Sequence, residues 1–181
     1  MKLLTSLALA LLCGIASASS VNWSIEKKSF STSDGSSDRA KGYYVTLFLY
    51  SDYDAIMNVV STWSAPVTET QANSISTYVK STSTTSAMGA ATGTFEVSDP
   101  SGTTLQLFAI AWDGASIQEA NNYLVSNMVK SDAYVLPDNP VNTGTITSAS
   151  YENKSWTAIP EPSVALMGLL GLGMLLKRRR A

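Results

Sequence analysis

Residues 42–50, Gly-Tyr-Tyr-Val-Thr-Leu-Phe-Leu-Tyr, and residues 104–112, Thr-Leu-Gln-Leu-Phe-Ala-Ile-Ala-Trp, decide the fold class. A strand with one wet face alternates apolar and polar side chains, whereas a strand covered on both faces is apolar in both alternating sets. Both segments are of the second kind. In residues 104–112, Leu105, Leu107 and Ala109 fall on one side, and Phe108, Ile110 and Trp112 on the other. Two such strands predict a sheet with cover on both sides.

The neighbouring segments fit a mainly β domain. Thr94-Phe-Glu-Val-Ser98 alternates cleanly, and Asp99-Pro100-Ser101-Gly102 has the residues of a type I turn, predicting a hairpin with the strand from Thr104. Val21-Asn-Trp23-Ser-Ile25 alternates as well, residues 123–129 form a further expected strand, and residues 145–157 a weaker one. Helices are few. Thr68-x-x-Gln71 resembles a capping box, Val67 and Ala72 stand at hydrophobic-staple positions, and Ala72, Ile75 and Val79 share a face, which predicts a helix over 69–80. Ile56, Val59, Val60 and Trp63 have helical spacing over 54–63, and Ser116-x-x-Glu119 is expected to cap a single turn. Residues 31–37 and 81–86 are rich in Ser and Thr and read as loops. The expected architecture is a two-sheet antiparallel sandwich-like domain with one or two short helices on an edge or end.

Composition narrows the chemistry. Residues 19–159 have the size of one domain and carry seven Lys and Arg against thirteen Asp and Glu, a formal charge of −6. No cationic face is available to neutralise a phosphate backbone, so nucleic acid is not an expected partner. The chain has no histidine, which removes the commonest general base and transition-metal ligand. Its one cysteine, Cys13, lies in the apolar N-terminal run, so disulfides are not expected to hold the domain.

The two ends differ from the middle. Lys2, the apolar residues 3–15 and Ala16-Ser17-Ala18 follow the order of a secretory signal peptide over residues 1–18, with cleavage by signal peptidase expected after Ala18. At the other end, Pro160 and Pro162 hold Glu161 in extended backbone that an enzyme can grip. An uncharged stretch follows, residues 164–176, and its 13 residues make only about 20 Å of helix against a hydrocarbon core of roughly 30 Å. Lys177, Arg178, Arg179 and Arg180 then form a cluster that stays cytoplasmic under the positive-inside rule.

Pro160-Glu161-Pro162, the Gly-rich apolar stretch and the terminal basic cluster together resemble the PEP-CTERM sorting segment, over residues 160–181 alone. The resemblance implies a Gram-negative host and recognition by an exosortase, with cleavage at or near the Pro-Glu-Pro motif. It further implies a precursor held transiently in the inner membrane through residues 163–176, then delivery to the cell surface or an extracellular polysaccharide matrix. The domain over 19–159 is then expected to be exported and non-catalytic, with a structural or adhesive role and no cofactor.

Two other function classes have residues to support them. The aromatic side chains Trp23, Trp63, Trp112, Trp156, Tyr43, Tyr44, Tyr50 and Tyr53 offer faces on which sugar rings stack, as in a carbohydrate-binding module, although most sit in core-like patterns. A secreted carbohydrate-active enzyme needs two opposed carboxylates and no histidine. Asp113, after the second buried strand and before Gly114, is the best placed acid, with a turn role as the simpler expectation. Asp52-x-Asp54 and Asp34-Gly-Ser-Ser-Asp38 contain oxygen ligands suited to Ca²⁺ but lack the spacing of a calcium loop, so Asp54 is expected to cap a helix and Asp34-Gly35 to make a turn.

Overall fold

The structure, a computed structural model, describes residues 19–25, 30–37, 39–99, 102–125, 134–136, 144–148 and 155–161. The expected signal peptide, Pro162, the apolar segment and the basic tail lie outside those residues. Among the described residues no helix is long and apolar enough to cross a membrane.

The two segments that are apolar on both faces form the middle of a five-stranded sheet. β2 (Tyr44–Leu49) pairs antiparallel with β6 (Leu107–Trp112), with Thr46 opposite Ile110 and Phe48 opposite Phe108. β7 (Asn122–Val125) and β10 (Thr157–Ala158) continue the sheet beyond β6, and β3 (Ser81–Thr84) closes it beyond β2. Every residue of β6 is buried. Its two faces serve different cores, as the alternation predicts.

One core lies between the two sheets. Val45, Leu47, Leu107, Ala109 and Ala111 meet Val21, Trp23 and Ile25 of β1 (Ser19–Ile25), with Phe95 and Val97 of β4 (Ala91–Val97). β1 is the centre of a three-stranded sheet, antiparallel to β4 and parallel to β9 (Gly144–Ser148). The expectation of purely antiparallel sheets is corrected at this one pairing. Opposite Trp23 stands Gly93. A Cβ there would lie 2.6 Å from the Trp23 Nε1, so only glycine leaves room for the indole. That indole N–H is buried and has no acceptor among the described residues.

The other core lies between the five-stranded sheet and the helices, which therefore cover a face rather than an edge. Phe48, Phe108, Ile110 and Trp112 pack against Ile56, Val60 and Trp63 from and just after α1 (Tyr53–Val60), and against Ala72 and Ile75 from and just after α2 (Glu69–Ser74). Trp63 stacks on Trp112 with ring centres 5.6 Å apart. Trp112 also donates from Nε1 to the Thr46 hydroxyl at 3.0 Å, and Thr46 donates on to the Ile110 carbonyl at 3.3 Å. A buried hydroxyl and a buried indole thereby satisfy one another.

Local signals account for α2 well and for α1 less well. The Thr68 hydroxyl accepts from the Gln71 N–H at 3.2 Å while the Gln71 amide oxygen accepts from the Thr68 N–H at 2.9 Å, the capping box read in the sequence. After Ser74 the helix tightens to a 3-10 turn, Ser76–Tyr78, instead of running on to residue 80. α1 begins one residue earlier than expected, and Asp54 is not its cap. A 3-10 turn, Tyr50–Asp52, runs straight into the helix, so the capping position falls on Asp52 in non-extended backbone with no side-chain bond. Asp54 sits in the first turn, where its charge still favours the helix dipole.

Three further expectations are corrected by pairing. The hairpin between residues 94–98 and the strand from Thr104 does not form, because β4 and β6 belong to different sheets. β4 has one buried face, while β6 must be buried on two, so the connection crosses from the outer sheet to the central one. The 104–112 strand is broken at Gln106: β5 (Thr104–Leu105) pairs with β8 (Tyr134–Val135), and the Gln106 carbonyl accepts from the Tyr50 N–H at 2.7 Å. Residues 145–157 contain parts of two strands, β9 and β10, in separate sheets. Of the strand expected over 123–129, residues 126–129 lie outside the described residues.

The Ser/Thr-rich stretch 81–84, read as a loop, is the edge strand β3. Its serines explain why. The Ser81 hydroxyl donates to the Thr94 carbonyl at 3.0 Å and the Ser83 hydroxyl to the Thr92 carbonyl at 2.6 Å, so side chains from one sheet satisfy edge carbonyls of the other. Exposed strand edges are sites of unwanted pairing, and this seam blunts two of them together. Ser81→Ala and Ser83→Ala are each expected to lower stability by about 1 kcal/mol in urea denaturation, with the double variant near the sum.

Candidate functional site

Three elements leave a cleft of about 460 Å³ on the helical face of the five-stranded sheet. Tyr44 and Thr46 of β2 form its floor. Ala72, Asn73, Ser76 and Val79, from α2 and the turn after it, make one wall, and Ser116, Ile117 and Gln118 make the other. The second wall is a bend rather than the helical turn expected at residue 116, closed by the Ala120 N–H to the Ile117 carbonyl at 3.2 Å.

Asp113 holds that bend in place. Its carboxylate accepts from the N–H groups of Asn121 and Asn122, both at 2.8 Å, and from the Asn122 amide at 2.6 Å. The acid singled out from the sequence is therefore occupied in a turn, and it does not line the cleft. Gly114 follows because a Cβ there would lie 2.7 Å from the backbone of Glu119. Among the described residues that line the cleft, none is charged.

The floor and the rim differ chemically. Thr46 has both donor and acceptor engaged below the cleft, so it offers the site only its methyl surface. Ser76 donates to the Asn73 carbonyl at 2.8 Å. Among the described residues, the side chains of Tyr44, Asn73, Ser116 and Gln118 make no hydrogen bond, and all four line the cleft.

The aromatic candidates divide sharply. Trp23, Trp63 and Trp112 are core residues, each at most 3 % exposed. Trp156 is half-buried and stands edge-on to Tyr43 at 5.4 Å, donating from Nε1 to the Ser31 carbonyl at 3.2 Å, so this pair pins a loop. Tyr50 and Tyr53 stack at 5.3 Å, and Tyr53 meets Phe108 edge-on at 5.0 Å. Tyr44, half-buried, is the aromatic residue that borders the cleft.

The Asp34-Gly35 turn forms as expected. Gly35 adopts a positive φ of 71°, and Asp34 Oδ1 accepts from the Ser36 N–H at 3.0 Å and its hydroxyl at 2.8 Å. The Thr32 hydroxyl first, then these Ser36 groups, hold the carboxyl at about 2, below its ordinary 3.8. A lowered folded-state value favours the turn fully above the ordinary value and releases that preference as pH falls through about 2. Carboxyl titration by NMR is expected to give that midpoint in the native protein, and Ser36→Ala is expected to move it upward. Asp38 lies outside the described residues, and among those described no three acidic or sulfur side chains gather into a metal-binding group.

At the C-terminal end, β10 leads directly into the expected processing motif. Ile159 is 3 % exposed, and its N–H donates to the Asn121 carbonyl at 2.8 Å. The Pro160 carbonyl accepts from the Ala65 N–H at 2.9 Å, while Pro160 and Glu161 themselves are exposed. The remaining sorting residues (Pro162, Lys177, Arg178, Arg179 and Arg180) and the signal peptidase residues Ala16 and Ala18 lie outside the described residues.

Fold and site together define a mainly β domain of two packed sheets, with two short helices on one face and a neutral polar cleft beside them. Comparison with protein-family models, with curated proteins and with solved structures finds no match for this chain.

Proposed function

We propose that this chain is an exported, non-catalytic component of a bacterial cell surface or extracellular polysaccharide matrix, trimmed by signal peptidase and then by an exosortase. The observation that carries this reading is the order of the last 22 residues: an acid between two prolines, an undersized apolar segment, then a basic cluster. Each piece has its own physical task. The prolines keep the motif extended for an enzyme, the apolar segment delays the chain in the membrane, and the basic residues resist translocation.

The fold supports this reading at the junction. Ile159 is the last of the described side chains committed to the core, and Pro160 and Glu161 come immediately after it on the surface. Cleavage at the motif would leave both hydrophobic cores whole. Intact-mass spectrometry of the cell-surface form from its native host is expected to show a protein beginning near Ser19 and lacking the Arg180-Ala181 end. A finished surface form that retains Arg180-Ala181 would overturn the proposal.

A further inference from the structure

We infer that the cleft between α2 and the 116–118 bend binds a segment of a neutral polysaccharide, with Asn73 and Gln118 as its principal hydrogen-bonding residues. The inference rests on the export reading, which sets this face outside the cell among glycans. Its chemical argument comes from the cleft itself.

Charge is the first discriminator. Among the described residues, no Asp, Glu, Lys or Arg lines the cleft. A phosphorylated or carboxylated ligand would find no cation to offset its lost hydration, and a cation no carboxylate. The ligand must therefore be neutral. Hydrogen-bonding capacity is the second. Asn and Gln amides donate and accept at once, the combination that a run of vicinal hydroxyls presents in return. Asn73 and Gln118 come from the two different walls, and among the described residues their amides, like the hydroxyls of Ser116 and Tyr44, have no hydrogen-bond partner.

Shape is the third. A pyranose has an apolar C–H face as well as its hydroxyl edge, and aromatic rings match that face. Tyr44 supplies a half-buried ring at the floor, with Val79 and Ile117 as apolar sides. The volume, about 460 Å³, falls in the range of roughly 300–1,000 Å³ usual for small-molecule sites. The cleft is open to solvent, so a polymer can lie across it without being threaded or cut.

The test is calorimetric titration of the purified full chain with hexasaccharides of glucose (α- and β-linked), mannose and N-acetylglucosamine, beside polygalacturonate as the acidic control. At least one neutral hexasaccharide is expected to saturate the protein. The Asn73→Ala, Gln118→Ala double variant is expected to weaken that binding by about tenfold or more, with an unchanged thermal midpoint, because both side chains are exposed and make no hydrogen bond among the described residues. Absence of saturation by every neutral probe up to about 10 mM, tighter binding of polygalacturonate, or undiminished binding by the double variant would each overturn the inference. None of these results depends on C-terminal trimming, so failure here is separable from failure of the sorting proposal.

Discussion

Replacing Pro160, Glu161 and Pro162 by alanines is expected to leave nearly all of the chain as a larger precursor in the inner membrane, with little or none reaching the cell surface. The prolines hold the backbone on either side of Glu161 in extended conformations, and alanine removes that restriction while favouring helix continuous with the apolar residues that follow. A motif drawn into a helix offers an enzyme no extended strand to grip. The substitution is expected to spare the domain. The bond from the Ala65 N–H goes to the backbone carbonyl of residue 160, which alanine retains, and Ile159 is untouched. Fractionation with immunoblotting reads the location, and thermal unfolding of the precursor checks the fold. Normal size together with normal export in this variant would count against the exosortase proposal.

The second large effect is at Trp112. Trp112→Ala is expected to cost about 3–5 kcal/mol, a large part of the roughly 5–15 kcal/mol by which a domain of this kind is stable. The side chain is fully buried, stacks on Trp63, and touches Tyr123 with ring centres 6.0 Å apart, so its removal opens a cavity between the central sheet and α1. It also leaves the Thr46 oxygen without its buried donor. Trp112→Phe keeps most of the volume and loses the N–H, so a cost of about 1–3 kcal/mol is expected. Urea denaturation followed at Trp63 or by far-UV dichroism measures both. Equal costs for the two variants would show that neither the cavity nor its filling governs this core.

Much of the local structure was legible because its causes are local. Thr68 and Gln71 cap each other across three residues, and Asp34 and Gly35 make their turn within four. The assignment of Leu107 and Ala109 to one core and Phe108, Ile110 and Trp112 to the other followed from the two-residue period of a strand. The turn role expected for Asp113 is the one it plays, although its three donors come from residues eight and nine positions on.

Partnership was less legible. Asp99 to Gly102 has the composition of a hairpin turn, yet turn chemistry states only that the chain reverses, and it leaves open which sheet receives the next strand. Residues 81–84 resemble a loop until Ser81 and Ser83 are seen bonding to a neighbouring sheet. The cleft joins residues 44, 73, 76, 116 and 118 from three separate stretches. Of these, the sequence marks Tyr44 as an aromatic candidate and Ser116 as a cap, and neither as part of a shared site, since isolated Asn, Ser and Gln residues on a helix and a bend carry no spacing signal for a cleft. A search for uncharged amides near one another would have needed the fold first.

By itself the sequence determined the mainly β class, the two central strands with their faces, the capping box of α2, and the order of motif, apolar segment and basic cluster at its end. Each of these is written in residues close together along the chain, where periodicity and backbone chemistry act directly. The tertiary structure alone decided the parallel pairing of β1 with β9, the crossing from β4 to the central sheet, the break at Gln106, the helices on a face and the cleft they form. Those features depend on which distant surfaces must bury one another, and that balance is struck among elements only after each has formed.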